Sequence, residues 1–182
     1  MATTDAAFER AYTQHLPAVS GYLYRRVERR FVEDLAADVF AIAWRRRATV
    51  TVGEELPWLY RIAANVVSNH RRRVATGVSL IAALRPADSA PSAEDIVVAD
   101  TSLAAAWRQL RAPEREIIAL ALVEELPASQ IAVALKISAN AASIRLHRAR
   151  KKLVELLAAD NSLDAAERSA ASATYPRYEQ PS

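Results

Sequence analysis

The most constraining feature of this chain is a stretch near its C-terminal end that encodes two helices joined by a short turn. Residues Leu126 to Leu153 read LPASQIAVALKISANAASIRLHRARKKL. Pro127 suits the first turn of a helix, where its missing N–H costs nothing, and an apolar face follows at helical spacing. Lys136 interrupts that spacing, and Ser138 is a favourable N-cap for a second helix. We expect this second helix to continue to at least Leu157.

The second helix has one small apolar side and one basic side. Its apolar positions step by four, three and four residues and therefore form one buried stripe: Ala142, Leu146, Ala149 and Leu153. From Arg145 to Lys152 there are five cations and no acid. This layout is typical of a DNA-reading helix-turn-helix, in which the N-terminal residues reach base edges and later cations contact phosphates. The candidate DNA contacts are Ala139, Asn140, Ser143, Arg145, His147, Arg148 and Lys151.

An amphipathic core helix with a solvated basic face is the simpler alternative for this segment. A charge run alone would favour that alternative, but the preceding helix and turn favour the DNA-reading motif. Asn140 can pair bidentately with adenine, and the small side chains beside it allow a close approach to the groove. We therefore treat Ala139, Asn140 and Ser143 as the candidate base readers.

Composition narrows the fold and function classes. Only three of the 182 residues are glycine, and long periodic segments dominate, so we expect an all-α protein. The chain has no cysteine, and its three histidines are far apart, so neither a metal site nor another cofactor is expected. No phosphate-cradling glycine loop or nucleophile motif points to an enzyme. Without a long apolar run we expect a soluble cytoplasmic protein with no membrane insertion.

Charge is divided unevenly along the chain. Residues 1 to 75 hold 12 Lys/Arg and 8 Asp/Glu, giving +4, and residues 102 to 160 hold 9 and 6, giving +3. Residues 76 to 101 between them hold 1 and 4, giving −3, and contain glycine and two prolines. This pattern predicts two small helical domains, 1–75 and 102–160, joined by a flexible acidic linker, with two separate contacts to a polyanion. Residues 161–182 lack sustained periodicity and are predicted to be a disordered tail.

Three helical segments are predicted in the first 75 residues. The first runs from about Asp5 to Arg30, where Pro17 should kink or divide it. The second runs from about Val32 to Arg47. It has acidic residues at its start and basic residues at its end, and the helix dipole explains this charge pattern as well as a docking site does. A loop, Ala48–Leu56, follows. The third helix is predicted to begin at Pro57 and to end with three arginines. Those arginines either cap the dipole or grip phosphate.

At this point the whole pattern resembles the alternative sigma factors of bacterial RNA polymerase, in particular the extracytoplasmic-function group. Val32 to Arg46, VEDLAADVFAIAWRR, is similar to the polymerase-docking helix of that family, and Pro57 to Arg73, PWLYRIAANVVSNHRRR, to its promoter-melting helix. Leu110 to Leu153 resembles its upstream-promoter-reading domain. The resemblance departs from the family at Gln130, where an acid is usual, and at Lys136, which replaces the turn glycine.

The resemblance implies a role for each segment. The second helix would dock on core RNA polymerase through Glu33, Asp34, Asp38, Phe40 and Trp44. The loop would hold a base flipped out of the minus-ten element, and the third helix would line the melted strand or the duplex edge. The residues implied for the minus-ten element are Thr49, Thr51, Trp58, Asn65, Asn69, His70, Arg71, Arg72 and Arg73. The helix-turn-helix would read the minus-thirty-five element, and an anti-sigma factor would regulate the chain.

Two readings from other classes stay open at the level of sequence. A stand-alone helix-turn-helix repressor or activator would bind duplex DNA by itself, usually as a dimer on two half-sites. A purely structural helical adaptor would need no DNA-reading face. The N-terminal segment argues against a repressor, which does not need a docking helix followed by a strand-separating loop. Trp58 also has an alternative role, because a single aromatic residue at helical spacing is more often core than a base-stacking platform.

Overall fold

A computed structural model describes residues 5–82 and 101–173, with side chains for 5–76 and 102–159. Within those ranges the chain forms α-helices and two short 3-10 turns, with no strand, which confirms the all-α prediction. The helices are α1 Asp5–Tyr24, α2 Val32–Arg46, α3 Glu55–Ala82, α4 Thr101–Gln109, α5 Ala112–Leu122, α6 Ala128–Leu135 and α7 Ala139–Ala173. We call α1–α3 the N-terminal lobe and α4–α7 the C-terminal lobe.

The N-terminal lobe packs three helices around an apolar centre. Helix α1 runs unbroken through Pro17 but ends at Tyr24, earlier than predicted. After this end the Arg26 guanidinium donates to the carbonyl of Tyr22 at 3.1 Å, which satisfies one of the free carbonyls of the last turn. Val19 and Leu23 of α1 are fully buried among the other two helices.

Two helices extend beyond their predicted ends. Helix α3 continues past its three arginines and through Gly77 to Ala82, into the predicted linker. A single glycine in a helix costs about 1 kcal/mol relative to alanine, which the helix-forming residues around it offset. Helix α7 continues to Ala173, past the predicted start of the disordered tail, through an alanine-rich sequence of high helix propensity. The remaining linker and tail residues, 83–100 and 174–182, lie outside the described residues.

The C-terminal lobe holds the predicted helix-turn-helix on a support of two further helices. The buried side chains of α5 and α6 include Ile117, Ile118 and Ile131, and Ala142 of α7 packs against them without any exposed area. Helix α7 contacts α4, α5 and α6, so three helices of the lobe hold the basic helix. The lobe therefore presents α7 as a rigid element.

The two lobes are packed directly against each other. Helix α6 contacts α3, and the buried apolar residues of both lobes form one continuous cluster. The sequence predicted two lobes whose only connection is a linker, and it contained no sign of this contact. The loop that joins α5 to α6, residues 123–127, contains Leu126, which is buried, and Glu124, whose side chain is only 3% exposed.

Candidate functional site

The turn between α6 and α7 closes without a glycine. Lys136 adopts the left-handed conformation, with φ 55° and ψ 49°, and its N–H and that of Ile137 donate to carbonyls of the last turn of α6. The Ser138 hydroxyl then accepts a hydrogen bond from the backbone N–H of Ala141 at 3.1 Å, which confirms it as the N-cap of α7. The geometry fixes the direction in which α7 leaves the turn.

The first turns of α7 have one buried side and one side that is exposed to solvent. The predicted stripe is confirmed, because Ala142, Leu146 and Ala149 are buried and Leu153 is half-buried. The predicted DNA contacts are all exposed: Ala139, Asn140, Ser143, Arg145, His147, Arg148 and Lys151. By helical spacing Ala139, Asn140, Ser143, His147 and Lys151 share one face, which a groove of duplex DNA could meet, and Arg148 and Arg145 lie beside it.

One cation of the basic run points inward. Lys152 donates to the Glu114 carboxylate of α5 at 3.0 Å, and Arg111 binds the same carboxylate at 2.7 Å. The hydrogen bond from Arg111, together with that of Lys152, lowers the pKa of Glu114 to about 2. Glu114 thus ties α5 to α7 and takes Lys152 away from the DNA-facing surface.

The predicted docking residues of α2 divide into an exposed and a buried group. Glu33, Asp34 and Asp38 are all exposed on the outer side of the helix. Trp44 is 38% exposed, packs edge-on against Phe8 at 5.0 Å and lies under the Arg47 guanidinium. Phe40 is buried.

Phe40 corrects the sequence-based assignment. Its ring is only 4% exposed and packs edge-on against Tyr12 at 4.6 Å, so it belongs to the core rather than to a docking surface. Helix α2 buries both Val39 and Phe40, because it is covered by α1 on one side and α3 on the other. The spacing of apolar residues along a helix does not show how much of its surface is buried, because that depends on which other helices pack against it.

The loop between α2 and α3 is held by short local hydrogen bonds. The Thr49 hydroxyl donates to the carbonyl of Arg46 at 2.8 Å, and the N–H of Glu54 donates to the carbonyl of Thr51 at 3.0 Å. Gly53 has φ +87°, and its N–H donates to the Glu55 carboxylate at 2.9 Å. Both threonines are exposed. The loop therefore has a defined shape with polar groups on its outer side.

A cavity of about 680 Å³ lies between this loop and α1, and we call it the loop cavity. Its wall includes Val52 of the loop, His15 of α1, and Leu56 and Trp58 of α3. Burial lowers the pKa of His15, so its imidazole favours the neutral form there. Gln130 of α6 also lines this cavity, so the C-terminal lobe supplies part of its wall.

Trp58 is the second correction. The ring is 5% exposed and forms part of the core, so it cannot stack on a base at the outer surface of α3. It reaches only the interior of the loop cavity. Pro57, one residue before it, is also fully buried, which seats the start of α3 in the core.

The other residues predicted to meet the minus-ten element lie in the middle of α3, and the last five are consecutive, so they point in different directions around the helix. Asn65, Asn69, Arg71, Arg72 and Arg73 are exposed, and His70 is half-buried. Several have contacts that hold them in place. The Arg72 guanidinium donates to the Asn69 side chain at 2.9 Å, that of Arg71 donates to the carbonyl of Arg26 at 3.1 Å, and His70 packs on Phe31 at 4.6 Å.

The structure also contains a cluster of polar residues that the sequence did not reveal. It joins Tyr22, Arg25, Arg26 and Tyr60 of the N-terminal lobe to Glu116 and Glu124 of the C-terminal lobe, and we call it the interlobe network. Burial raises the pKa of both tyrosines, and the adjacent carboxylates raise it further, so both hydroxyls remain donors. Partners 64 to 99 residues apart leave no local pattern in a sequence.

Comparison with known proteins identifies the family. The description "Sigma-70 region 2" matches residues 11–76, and "Sigma-70, region 4" matches residues 101–153. RNA polymerase sigma factor CarQ of Myxococcus xanthus is 35% identical over 156 residues, which cover 83% of this chain and 89% of that protein. The chain belongs to the sigma-70 family of RNA polymerase sigma factors. The resemblance to the extracytoplasmic-function group of sigma factors is thereby confirmed.

Solved structures of sigma factors share the fold. The sigma factor RpoE, solved in complex with the anti-sigma factor NepR from Bartonella quintana, superposes with a TM-score of 0.59 at 23% identity, covering 82% of this chain and 96% of that one. CnrH, solved in complex with the cytosolic domain of CnrY, gives 0.56 at 24%, covering 86% and 91%. In the described part of this sigma factor, no helix combines the length and apolarity needed to span a bilayer.

Proposed function

We propose that this sigma factor binds core RNA polymerase, opens the minus-ten element with its N-terminal lobe and reads the minus-thirty-five element with its C-terminal lobe. The observation that carries the proposal is the exposed face at the start of α7. There a capped helix presents Asn140 and Ser143 ahead of a row of cations, the order that base readout followed by phosphate contact requires.

The proposed docking site on polymerase is the acidic outer surface of α2. Glu33, Asp34 and Asp38 lie together within its first two turns. Trp44 adds a partly exposed ring near the C-terminal end of the same helix. Acids at the centre of such a surface steer a basic partner and fix its register, whereas the aromatic ring supplies contact area.

The proposed melting site consists of the loop and the outer side of α3. A base flipped out of the duplex would enter the loop cavity, which has room for one base and an apolar lining that includes Leu56 and Trp58. Thr49 and Thr51 are exposed beside it. The exposed asparagines and arginines of α3 would hold the separated strand, because extruding a base costs a few kcal/mol that cationic and stacking contacts must offset.

The partners and the localisation of the sigma factor follow from this function. The sigma factor would act in the cytoplasm as a non-catalytic subunit, on promoter DNA that is first duplex and then melted. An anti-sigma factor would hold it inactive, a proposal supported by the fold it shares with RpoE, which was solved bound to the anti-sigma factor NepR. Co-purification of a small partner with the tagged chain would test this part separately.

Transcription from genomic DNA tests the main proposal. The purified chain is mixed with bacterial core RNA polymerase and fragmented genomic DNA of its source, and the 5′ ends of the transcripts are mapped. We expect new starts that share two spaced upstream motifs and that are absent with core polymerase alone. A matched reaction with Asp34→Arg and Asp38→Arg should lose them. If the wild-type chain binds duplex DNA but neither binds core polymerase nor yields new starts, it is a stand-alone regulator instead.

A further inference from the structure

Arginines from both lobes line a cavity of about 280 Å³, which we call the arginine cavity. Arg25 and Arg26 come from the segment directly after α1, and Arg71 comes from α3. On the opposite side, α4 contributes Trp107 and α5 contributes Arg115. Four guanidinium groups around one small cavity produce a positive potential, which attracts anions.

The carboxylates near the arginine cavity do not balance all of these cations. Glu116 lies in the cavity wall and forms an ion pair with Arg26 at 3.2 Å. Glu124 forms an ion pair with Arg25 at 2.6 Å. Arg71 instead donates to the neutral carbonyl of Arg26 at 3.1 Å and forms no ion pair with a described residue. The cavity therefore keeps a positive charge that the described carboxylates do not neutralise.

Two donors in residues of the cavity wall are buried without an acceptor. They are the indole N–H of Trp107, a residue that is 9% exposed, and the Nε–H of Arg25, and neither has a hydrogen-bond partner in the part of the chain that the structure describes. Buried polar groups are almost always paired, so such a donor calls for an acceptor. Phosphate oxygens are strong acceptors from N–H groups and pair especially well with guanidinium.

A second cavity, of about 410 Å³, adjoins the arginine cavity. Arg26, Arg71 and Glu116 line both cavities, so the two share a wall. The second cavity adds apolar surface from Val67 and the hydroxyl of Ser68. Together the two cavities are in the size range of small-molecule sites, roughly 300–1,000 Å³. They offer cationic walls for an anionic group and adjoining space for the rest of a ligand.

The burial of the wall favours a small ligand over nucleic acid. Arg26 and Trp107 are both more than nine-tenths buried, so the wide backbone of a DNA duplex cannot reach them. A compact diphosphate can enter a cavity of this volume and accept hydrogen bonds from more than one guanidinium group.

We propose that the arginine cavity binds the diphosphate group of a small molecule, such as a nucleoside diphosphate, with the uncharged part of the ligand in the second cavity. Arg71 and Arg115 would hold the phosphates, and the Trp107 N–H would donate to a phosphate oxygen. Binding itself does not depend on the proposed function. One consequence does rest on it: Arg71 also belongs to the proposed melting site, so the ligand and the separated DNA strand would compete for this arginine.

NMR spectroscopy of the indole N–H groups tests the site directly. The chain has three tryptophans and therefore three indole signals, and Trp107→Phe identifies one of them by its loss. The full chain is titrated with ADP, inorganic pyrophosphate or adenosine, without polymerase or DNA. We expect ADP and pyrophosphate to move the Trp107 signal downfield in a saturable way, because a hydrogen bond to phosphate deshields the proton. Adenosine should not move it at the same concentrations.

Calorimetry on variants measures what individual groups contribute. Arg115→Gln and Trp107→Phe should each weaken ADP binding by about tenfold, as expected for the loss of one charge-assisted hydrogen bond. Arg108→Gln is the matched control and should bind like the wild type, because it removes the same charge from an exposed position outside the cavity wall. Circular dichroism checks that each variant keeps its helices. ADP should also bind more tightly than pyrophosphate, and equal affinity would overturn the placement of the nucleoside in the second cavity.

Three results would overturn the diphosphate site. The first is a Trp107 signal that neither ADP nor pyrophosphate moves at millimolar concentrations. The second is equal weakening by Arg115→Gln and Arg108→Gln, which would indicate only general attraction between charges. The third is a signal that moves with single-stranded DNA but not with ADP or pyrophosphate, in which case the cavity belongs to the promoter contact. Failure of the proposed function would instead appear as the absence of promoter-specific transcripts, which this titration does not involve.

Discussion

Lys136 and Ser138 share the turn of the helix-turn-helix: the first ends α6 in the left-handed conformation, and the second caps α7 through its hydroxyl. A residue with a side chain pays for that conformation with roughly 1–2 kcal/mol, which glycine avoids. We therefore expect Lys136→Gly to raise the free energy of unfolding by about 1 kcal/mol in urea-induced unfolding. Lys136→Ala is the control and should give no such gain, because it removes the charge and retains the strain.

The acids of α2 should determine polymerase affinity. Reversing Asp34 and Asp38 together should weaken core binding by at least about tenfold, since like charges at an interface oppose association. Pull-down or fluorescence anisotropy with core polymerase measures this effect. Glu9→Arg with Glu125→Arg, which reverses two exposed acids outside α2, is the control for the same change in net charge. If the wild type and the double variant bound core polymerase equally well, the assignment of α2 as the docking helix would be wrong.

The two ends of the recognition face should behave differently in DNA binding. Arg148→Ala should weaken binding to all promoter sequences and reduce the log–log salt slope by about one unit, because one phosphate contact is lost. Asn140→Ala should instead change which sequence is preferred. Selection from a random promoter library by the holoenzyme, at two salt concentrations, separates these outcomes. An unchanged preference in Asn140→Ala would exclude it as a base reader.

Trp58 and Trp44 should differ in their effect on stability. Trp58→Ala removes a buried ring and should cost about 3–5 kcal/mol of unfolding free energy, with a general loss of activity. Trp44→Ala, at a partly exposed ring, should cost only roughly 1–2 kcal/mol. Urea unfolding of both variants provides the test. If the Trp58→Ala variant were as stable as the wild type and failed only in promoter opening, Trp58 would be a base-stacking residue and not a core residue.

The contacts of Glu114 with Arg111 and Lys152 should make the free energy of unfolding depend on pH. Because Arg111 lowers the pKa of Glu114 from 4.5 to about 2, the folded chain holds this carboxylate ionised where the unfolded chain binds a proton. Its stabilising contribution is complete above pH 4.5 and is lost as the pH falls towards 2. The stability difference between wild type and Glu114→Gln should therefore be constant from neutral pH down to about 4.5 and shrink below it. Glu155→Gln, at the exposed ion pair with Lys151, is the control variant, and it should change the stability at neutral pH by little.

The helix-turn-helix could be predicted from the sequence because its determinants are local. The cap at Ser138 and the apolar stripe of α7 each depend on residues within a few turns of one another. The exposure of Asn140 and its neighbours follows from the same periodicity. The fold class and the number of helices in the first 75 residues follow for the same reason.

The remaining features depend on residues distant in sequence. Whether Phe40 and Trp58 are buried is decided by which helices cover them, and no spacing along one helix contains that information. The interlobe network joins Arg25 to a glutamate 99 residues away. Helix ends were the other difficulty, since α3 passes through Gly77, where a linker was expected.

The contact between α6 and α3 also has a consequence for protein quality in the cell. Parting the lobes exposes the apolar faces that these helices bury against each other, and a large apolar patch on an isolated chain promotes aggregation. In the structure the two lobes are packed together, and that patch is covered. Burial of these faces against each other therefore favours solubility of the isolated chain as well as the stability of its fold.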